Sequence, residues 1–163
     1  MGEPYTTLIE QLRDVLLRRY GERLFSLVIF GSVARGEASK ASDIDLLLVV
    51  AGLPQSRFER QLEFMALEDE FEEHVTALYD EGYHIDFLPI IKTPEEAGRI
   101  TPLYLDMVED AILVYDRDKF FASVLERLRK RLDELGSKRM RMGRKWYWLL
   151  KPDYRFGEVI ELG

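Results

Sequence analysis

The stretch IFGSVARGEASKASDIDLLLVV, residues 29–50, places two carboxylates at the start of an otherwise apolar strand. One apolar run ends at Gly31-Ser32, a polar loop follows, and a second apolar run begins with Asp43-Ile44-Asp45. Because alternate residues of a strand point to the same face, we expect Asp43 and Asp45 to converge. A partly buried carboxylate is costly unless a positive group binds it. The stretch therefore predicts a site for a cation.

Three elements bear on this site, and each also has an ordinary structural explanation. Gly31-Ser32 can leave backbone N–H groups free to bind an anion, with Arg35 adding positive charge, or can be a common turn. Convergent carboxylates suit Mg²⁺, but Asp43 also suits a turn and Asp45 a solvated strand end. Asp86, in YHIDFLPI, either joins the pair from a third strand or faces water at a sheet edge.

Length and composition indicate one domain with a short appendage. The chain has 163 residues, is 47% hydrophobic, and has no apolar run long enough for a membrane span and no signal-like N-terminus, so we expect a cytoplasmic protein. The absence of cysteine excludes disulfides and thiolate metal sites. With no asparagine and only three glutamines, the composition is typical of a heat-adapted protein.

Charge is unevenly distributed along the chain. The net charge is −7, yet residues 136–163 carry seven Lys and Arg against three Asp and Glu. The acidic remainder argues against broad nucleic-acid binding, except through this basic, aromatic tail. The tail could also dock an acidic protein or pack its aromatic rings on the domain. We expect at least one of Trp146 and Trp148 to pack back, and the basic face to dock a partner.

Hydrophobic periodicity predicts alternating helices and strands. Strands are expected over residues 24–30, 44–50, 84–91 and 111–115, with one long amphipathic helix over 56–78 between the second and third strands. Helix starts are marked by Thr7 with Glu10, Ser56 with Glu59, Thr93-Pro94 and Thr101-Pro102. This order predicts an α/β (α+β) domain.

Taken together, the three elements form a specific pattern. Gly31-Ser32, ten residues (33–42), Asp43-Ile44-Asp45 and a later isolated Asp86 in a strand occur in that order. The sequence resembles the minimal nucleotidyltransferases (MNT proteins) of the DNA polymerase beta-like nucleotidyltransferase superfamily. The resemblance covers roughly residues 5–135, so we expect a nucleotidyltransferase domain over 1–135 and a basic, aromatic tail over 136–163. It implies a small mixed sheet of about four strands flanked by helices.

The resemblance also implies an activity and roles for named residues. Members of the family transfer a nucleoside monophosphate from a nucleoside triphosphate to a hydroxyl and release pyrophosphate. Asp43, Asp45 and Asp86 would be the catalytic and metal-binding residues, holding two Mg²⁺ ions. The nucleotide-binding residues would be Gly31 and Ser32, which hold the triphosphate, and Arg35, which neutralises its charge. Ser42 is placed with them, chiefly as a turn residue that orients Asp43.

The acceptor is less well specified, and alternatives remain open. The resemblance to MNT antitoxins implies transfer of AMP from ATP to a separate, all-helical HEPN-type toxin. A nucleotidyltransferase acting on a small molecule or RNA, and an antitoxin that binds its partner without catalysis, are the alternatives. Whether the chain forms a homo-oligomer is also open. His84, two residues before Asp86, could support the active site, whereas two unclustered histidines make a poor zinc site.

Overall fold

The computed structural model describes all residues, 1–163. The chain forms six strands and six α-helices. The strands are β1 (Leu24–Phe30), β2 (Ile44–Val50), β3 (Phe87–Lys92), β4 (Ile112–Asp116), β5 (Lys138–Met142) and β6 (Lys145–Leu149). The helices are α1 (Tyr5–Tyr20), α2 (Gly31–Ala34), α3 (Arg57–Glu68), α4 (Glu72–Asp80), α5 (Pro94–Ala97) and α6 (Phe120–Leu135). No helix is long and apolar enough to cross a membrane.

Four strands form one mixed sheet in the order β3-β2-β1-β4. β1 pairs antiparallel with β2 and with β4, while β2 and β3 are parallel and are joined by the crossover through α3 and α4. Each face of the sheet is covered by helices, because β1 and β2 are apolar on both faces. One core lies under α1, α3 and α4, and the other under α5 and α6. The predicted mixed four-stranded sheet is confirmed.

Helix starts agree with the sequence signals in the middle of the chain but not at its beginning. The Ser56 side chain accepts a hydrogen bond from the Glu59 N–H, and Thr93 and Glu96 form a complete capping box. The capping box predicted for Thr7 and Glu10 is wrong. α1 already begins at Tyr5, and Thr7 donates through both its N–H and its hydroxyl to the Glu3 carboxylate.

The region between β2 and β3 differs from the single long helix expected there. A 3₁₀ turn, Asp69–Phe71, separates α3 from α4, and Phe71 on that turn is buried against the sheet. The apolar spacing is continuous across the break, so periodicity alone does not reveal it. β3 begins at Phe87 rather than at residue 84, and Asp86 lies immediately before it.

The tail contains a β-hairpin that the sequence analysis did not predict. β5 and β6 pair antiparallel around a turn at Gly143, and the guanidinium groups of Arg139 and Arg141 lie over the Trp146 ring. Trp148 packs against the α6 core and donates from Nε1 to the Leu105 carbonyl oxygen at 3.1 Å. One tryptophan therefore packs back on the domain, as expected.

Arg60 is a buried cation that ties α3 to β3 and α5. Its side chain is 4% exposed and forms a two-pronged ion pair with Glu96, at 2.8 and 3.0 Å. It also donates to the carbonyl oxygens of Pro54 and Ile91. A buried guanidinium needs this degree of pairing, because an uncompensated buried charge is strongly destabilising.

The Arg60–Glu96 pair predicts a pH-dependent contribution to stability. The hydrogen bond from Arg60 lowers the pKa of Glu96 below its ordinary 4.5, so the contribution is present above pH 4.5 and is lost as the pH falls. Because Glu96 is partly exposed, we expect Glu96→Gln to cost about 1 kcal/mol near neutral pH, or about 3 °C in Tm. Thermal unfolding of both proteins should show this difference shrinking towards about pH 3.

Glu95→Gln is the control, because Glu95 is exposed and forms no ion pair. A difference between wild type and Glu96→Gln that stayed constant down to about pH 3 would contradict the assignment.

Candidate active site

The Gly31-Ser32 turn lies directly against Asp45. In the antiparallel ladder Phe30 pairs with Asp45, so the residue that follows β1 reaches the start of β2. Gly31 has φ +72°, and a Cβ placed on it would lie 2.3 Å from Asp45 Oδ2. Only glycine fits this position, because a side chain would be both strained and in collision with the carboxylate. The structure thus brings the turn and the second aspartate into contact.

The two aspartates create a region of excess negative charge. Partial burial raises the pKa of Asp45, and the neighbouring charges of Asp43 and Asp106 raise it further, whereas Arg35 acts in the opposite direction. Arg35 is also engaged with Glu37, with Nε 3.1 Å from Oε2. Ionised Asp45 is therefore incompletely compensated, and its chemistry suits a bound metal cation.

Ser42 belongs to the hydrogen bonds of the loop that precedes Asp43. Its Oγ accepts from the Ser39 N–H at 2.8 Å, and Tyr5 donates from its hydroxyl to the Ser39 carbonyl oxygen. Lys40 donates to the Glu81 carbonyl oxygen at 3.0 Å and accepts at its own carbonyl from the His84 N–H at 2.7 Å. These bonds fix the loop between the start of α1 and residues 81–84, and they place the Ser42 hydroxyl in a turn.

Asp86 lies next to the pair in the sheet, although it is not part of a closed cluster. The Ile44 N–H donates to the Asp86 carbonyl oxygen at 2.8 Å, so the residue is held beside the start of β2. Asp86 is exposed, and its charge raises the pKa of Glu68, after the larger effect of burial. No group of three or more His, Cys, Asp and Glu side chains is close enough to hold a metal ion.

The histidines are not brought into the site. The His84 ring packs edge-on against Tyr79 with centroids 4.8 Å apart, and His74 lines a groove between α1 and α4.

Two groups near the aspartates were missed by the sequence analysis. The first is Tyr5, whose pKa is raised by burial and further by the charges of Tyr83 and Asp43. The second is Asp106, on the 3₁₀ segment Pro102–Asp106, whose charge raises the pKa of Asp45. Neither belongs to a motif, so only the fold reveals them.

Comparison with known proteins identifies relatives over most of the chain. The family described as nucleotidyltransferase domain matches residues 9–138. A Methanocaldococcus jannaschii protein named "Putative protein adenylyltransferase" is 31% identical over 124 residues, covering 75% of this chain and 79% of the relative.

Solved structures with a similar chain trace include two toxin–antitoxin complexes. A crystal structure of a toxin–antitoxin with AMP-PNP gives a TM-score of 0.45 at 16% identity, over 78% of this chain and 91% of that one. A structure of the tri-AMPylated Shewanella oneidensis HEPN toxin in complex with MNT antitoxin gives 0.44 at 15% identity, over 80% and 92%.

The protein is therefore an enzyme of the nucleotidyltransferase class. The family match spans most of the chain, and the M. jannaschii relative exceeds 30% identity over three quarters of it. The chain belongs to the nucleotidyltransferase domain family. The family and enzyme class predicted from Gly31-Ser32 and Asp43-Ile44-Asp45 are confirmed.

Proposed function

We propose that this nucleotidyltransferase is a Mg²⁺-dependent protein adenylyltransferase, which transfers AMP from ATP to a hydroxyl group of a separate HEPN-type helical protein and thereby acts as an antitoxin. The observation that carries the proposal is the contact between the Gly31 turn and the Asp45 carboxylate, with a Cβ at Gly31 falling 2.3 Å from Oδ2. This contact joins an anion-binding turn to a cation-binding acid. The adenylyltransferase name of the M. jannaschii relative supports a protein acceptor and AMP as the transferred group.

Gly31 and Ser32 hold the triphosphate in this proposal. They open the short helix α2, whose first backbone N–H groups have no partner within the helix and so can bind phosphate oxygens. Ser32 adds a hydroxyl donor, and Arg35, one turn further along, adds a positive charge. Positioning and charge neutralisation of this kind provide most of the catalysis in phosphoryl transfer.

Asp43 and Asp45 would hold Mg²⁺. Asp86 is kept beside them by the Ile44–Asp86 backbone bond but forms no closed cluster with them, so its exposed carboxylate would turn towards the pair to complete the ligand set. Bound Mg²⁺ supplies charge stabilisation for the attacking and leaving oxygens. Asp86 is exposed, so its carboxylate can also accept the proton of an incoming acceptor hydroxyl. Ser42 supports Asp43 through the turn that it forms with Ser39.

A labelling experiment tests the proposed function. The chain is purified together with a co-purifying helical protein and incubated with Mg²⁺ and each of the four nucleoside triphosphates, labelled on the α-phosphate. We expect label from ATP to appear covalently on the partner. Absence of label with all four nucleotides would contradict the proposal. Label on small hydroxyl compounds without any partner would favour the small-molecule alternative instead.

Nucleotide binding should also stabilise the fold. Mg²⁺ with a non-hydrolysable ATP analogue at about 100 times its Kd should add about 2.7 kcal/mol, which corresponds to a Tm rise of roughly 5–10 °C. Asp45→Asn should abolish the rise while leaving the free protein folded, since burial and Asp43 already disfavour the ionised Asp45. Differential scanning fluorimetry of both proteins, with and without EDTA, measures the effect. An equal rise in Asp45→Asn would contradict the role of this residue.

A further inference from the structure

A cavity lies at the outer edge of β3, away from the aspartates. It has a volume of about 530 Å³ and is bordered by α3, the end of β3 and the segment that follows α5. Leu88 pairs with Asp45, and Lys92 on the cavity wall is four residues further along β3, about 13 Å away. The proposed nucleotidyl-transfer chemistry uses none of the residues that line this cavity.

The cavity concentrates positive charge in an acidic protein. Four cationic side chains, Arg57, Arg60, Lys92 and Arg99, line it together with one carboxylate, Glu96. Arg60 and Glu96 neutralise each other, which leaves three cations in a chain whose net charge is −7. Neither Arg57 nor Arg99 forms an ion pair or a side-chain hydrogen bond. Arg57 and Arg99 are exposed and Glu96 also acts on Lys92, but the cations around the cavity outnumber its carboxylates, which favours an anionic ligand.

Specific side-chain contacts hold the wall of the cavity in place. The buried Arg60–Glu96 pair fixes α3 against α5, and Lys92 is held over the Tyr104 ring with Nζ 5.0 Å from the centroid. Thr101 also lines the cavity, and its Oγ1 is the one buried side-chain oxygen or nitrogen without a hydrogen-bond partner.

The properties of Lys92 agree with an anion at this position. Burial lowers the pKa of Lys92, the charge of Glu96 raises it, and the smaller effect of the Arg57 charge lowers it again. A bound anion would relieve the repulsion between these two cations. The Lys92 ammonium has three donors, and its hydrogen bond to the Tyr104 hydroxyl, at 3.5 Å, leaves others for a ligand.

We propose that the cavity formed by Arg57, Lys92, Arg99 and Thr101 is a second, metal-independent binding site for a polyphosphate group, as in pyrophosphate or a nucleoside triphosphate. A diphosphate has a charge near that of the three free cations, and its several oxygens can accept from all of them at once. A cavity of about 530 Å³ accommodates a ligand of nucleotide size. The three cations come from three separate elements around one half-open cavity, which suits a compact polyanion better than an extended acidic peptide.

The test is binding measured without metal. Isothermal titration of the purified chain in EDTA uses inorganic phosphate, pyrophosphate and ATP as separate titrants. We expect one pyrophosphate per chain, with affinity that falls as salt is raised. Equal affinity for pyrophosphate and ATP would show that the cavity recognises the polyphosphate alone. Tighter binding of ATP would show that the cavity also contacts the nucleoside. Both results support the site.

Paired variants assign the binding to this cavity. R57Q/R99Q should bind pyrophosphate at least about tenfold more weakly, because each lost cation removes a charge-assisted contact. R19Q/R144Q removes the same charge from two exposed arginines elsewhere and should bind as wild type does. Equal weakening in both variants would overturn the proposal, as would no pyrophosphate binding at all. Binding of a poly-glutamate peptide that depends on Arg57 and Arg99, without pyrophosphate binding, would assign the cavity to a protein partner and overturn it too.

The site must also be distinguished from the catalytic one. R57Q/R99Q should keep the thermal shift produced by Mg²⁺ and the ATP analogue, since that shift depends on Asp45. Loss of this shift together with pyrophosphate binding would make the cavity part of the substrate site and would overturn a second site. Failure of AMP transfer to a partner would leave the metal-free pyrophosphate result unaffected.

Discussion

Asp45→Asn should reduce AMP transfer to the partner by about a thousandfold, the effect expected when one preorganised electrostatic group is removed from a phosphoryl-transfer site. The amide keeps the shape of the side chain but loses the charge that binds a cation. Because Asp45 is only half-buried and its ionised form is already disfavoured, the variant should remain folded. Initial rates with α-labelled ATP, at saturating Mg²⁺, measure the loss, and circular dichroism checks the fold.

Asp106→Asn is the matched control for this change. Asp106 also acts on the pKa of Asp45, but it is exposed and lies on a different segment, outside the Asp43-Ile44-Asp45 motif. Its amide variant should change the rate by no more than about threefold, because an exposed charge has a weak effect in water. Equal losses in the two variants would show that net charge around Asp45, rather than its own carboxylate, controls the rate.

Gly31→Ala should damage the site through a single methyl group. The new Cβ would lie 2.3 Å from Asp45 Oδ2, so the carboxylate must move away from the turn. Displacement of a catalytic group by about 1 Å can cost about a hundredfold in rate. We therefore expect transfer to fall by about that factor. The positive φ of 72° should add a stability cost of about 1–2 kcal/mol.

Gly36→Ala separates these two effects. Gly36 has nearly the same φ, +71°, but a Cβ there meets no atom within 4 Å. It should therefore show the stability cost, seen in urea unfolding, without the loss of transfer. If both alanine variants lost activity equally, backbone strain in the loop would explain the result, and the Gly31–Asp45 contact would not.

The sheet and the central motif could be predicted because their signals are local. Leu24–Phe30 and Ile44–Val50 are apolar runs bounded by turn residues, and both strands occur with the predicted bounds. The spacing from Gly31 to Asp45 is sufficient to indicate the family. What the motif could not show is that the two residues touch, because that depends on the Phe30–Asp45 register.

Other features were missed because their causes are not local. The cap expected at Thr7 is absent, because Thr7 lies inside α1 and donates to the carboxylate of Glu3, four residues earlier. The break at Asp69–Phe71 preserves the apolar spacing and so leaves no trace in periodicity. Nothing in the sequence pattern marks Arg60 as buried, and only the position of Glu96 on α5 explains its burial.

Because Phe30 pairs with Asp45, the activity depends on the correct register between β1 and β2. If β1 and β2 paired one residue out of step, Asp45 would turn towards the opposite, apolar layer and Gly31 would face a different neighbour. A misassembled chain would therefore be inert rather than partly active.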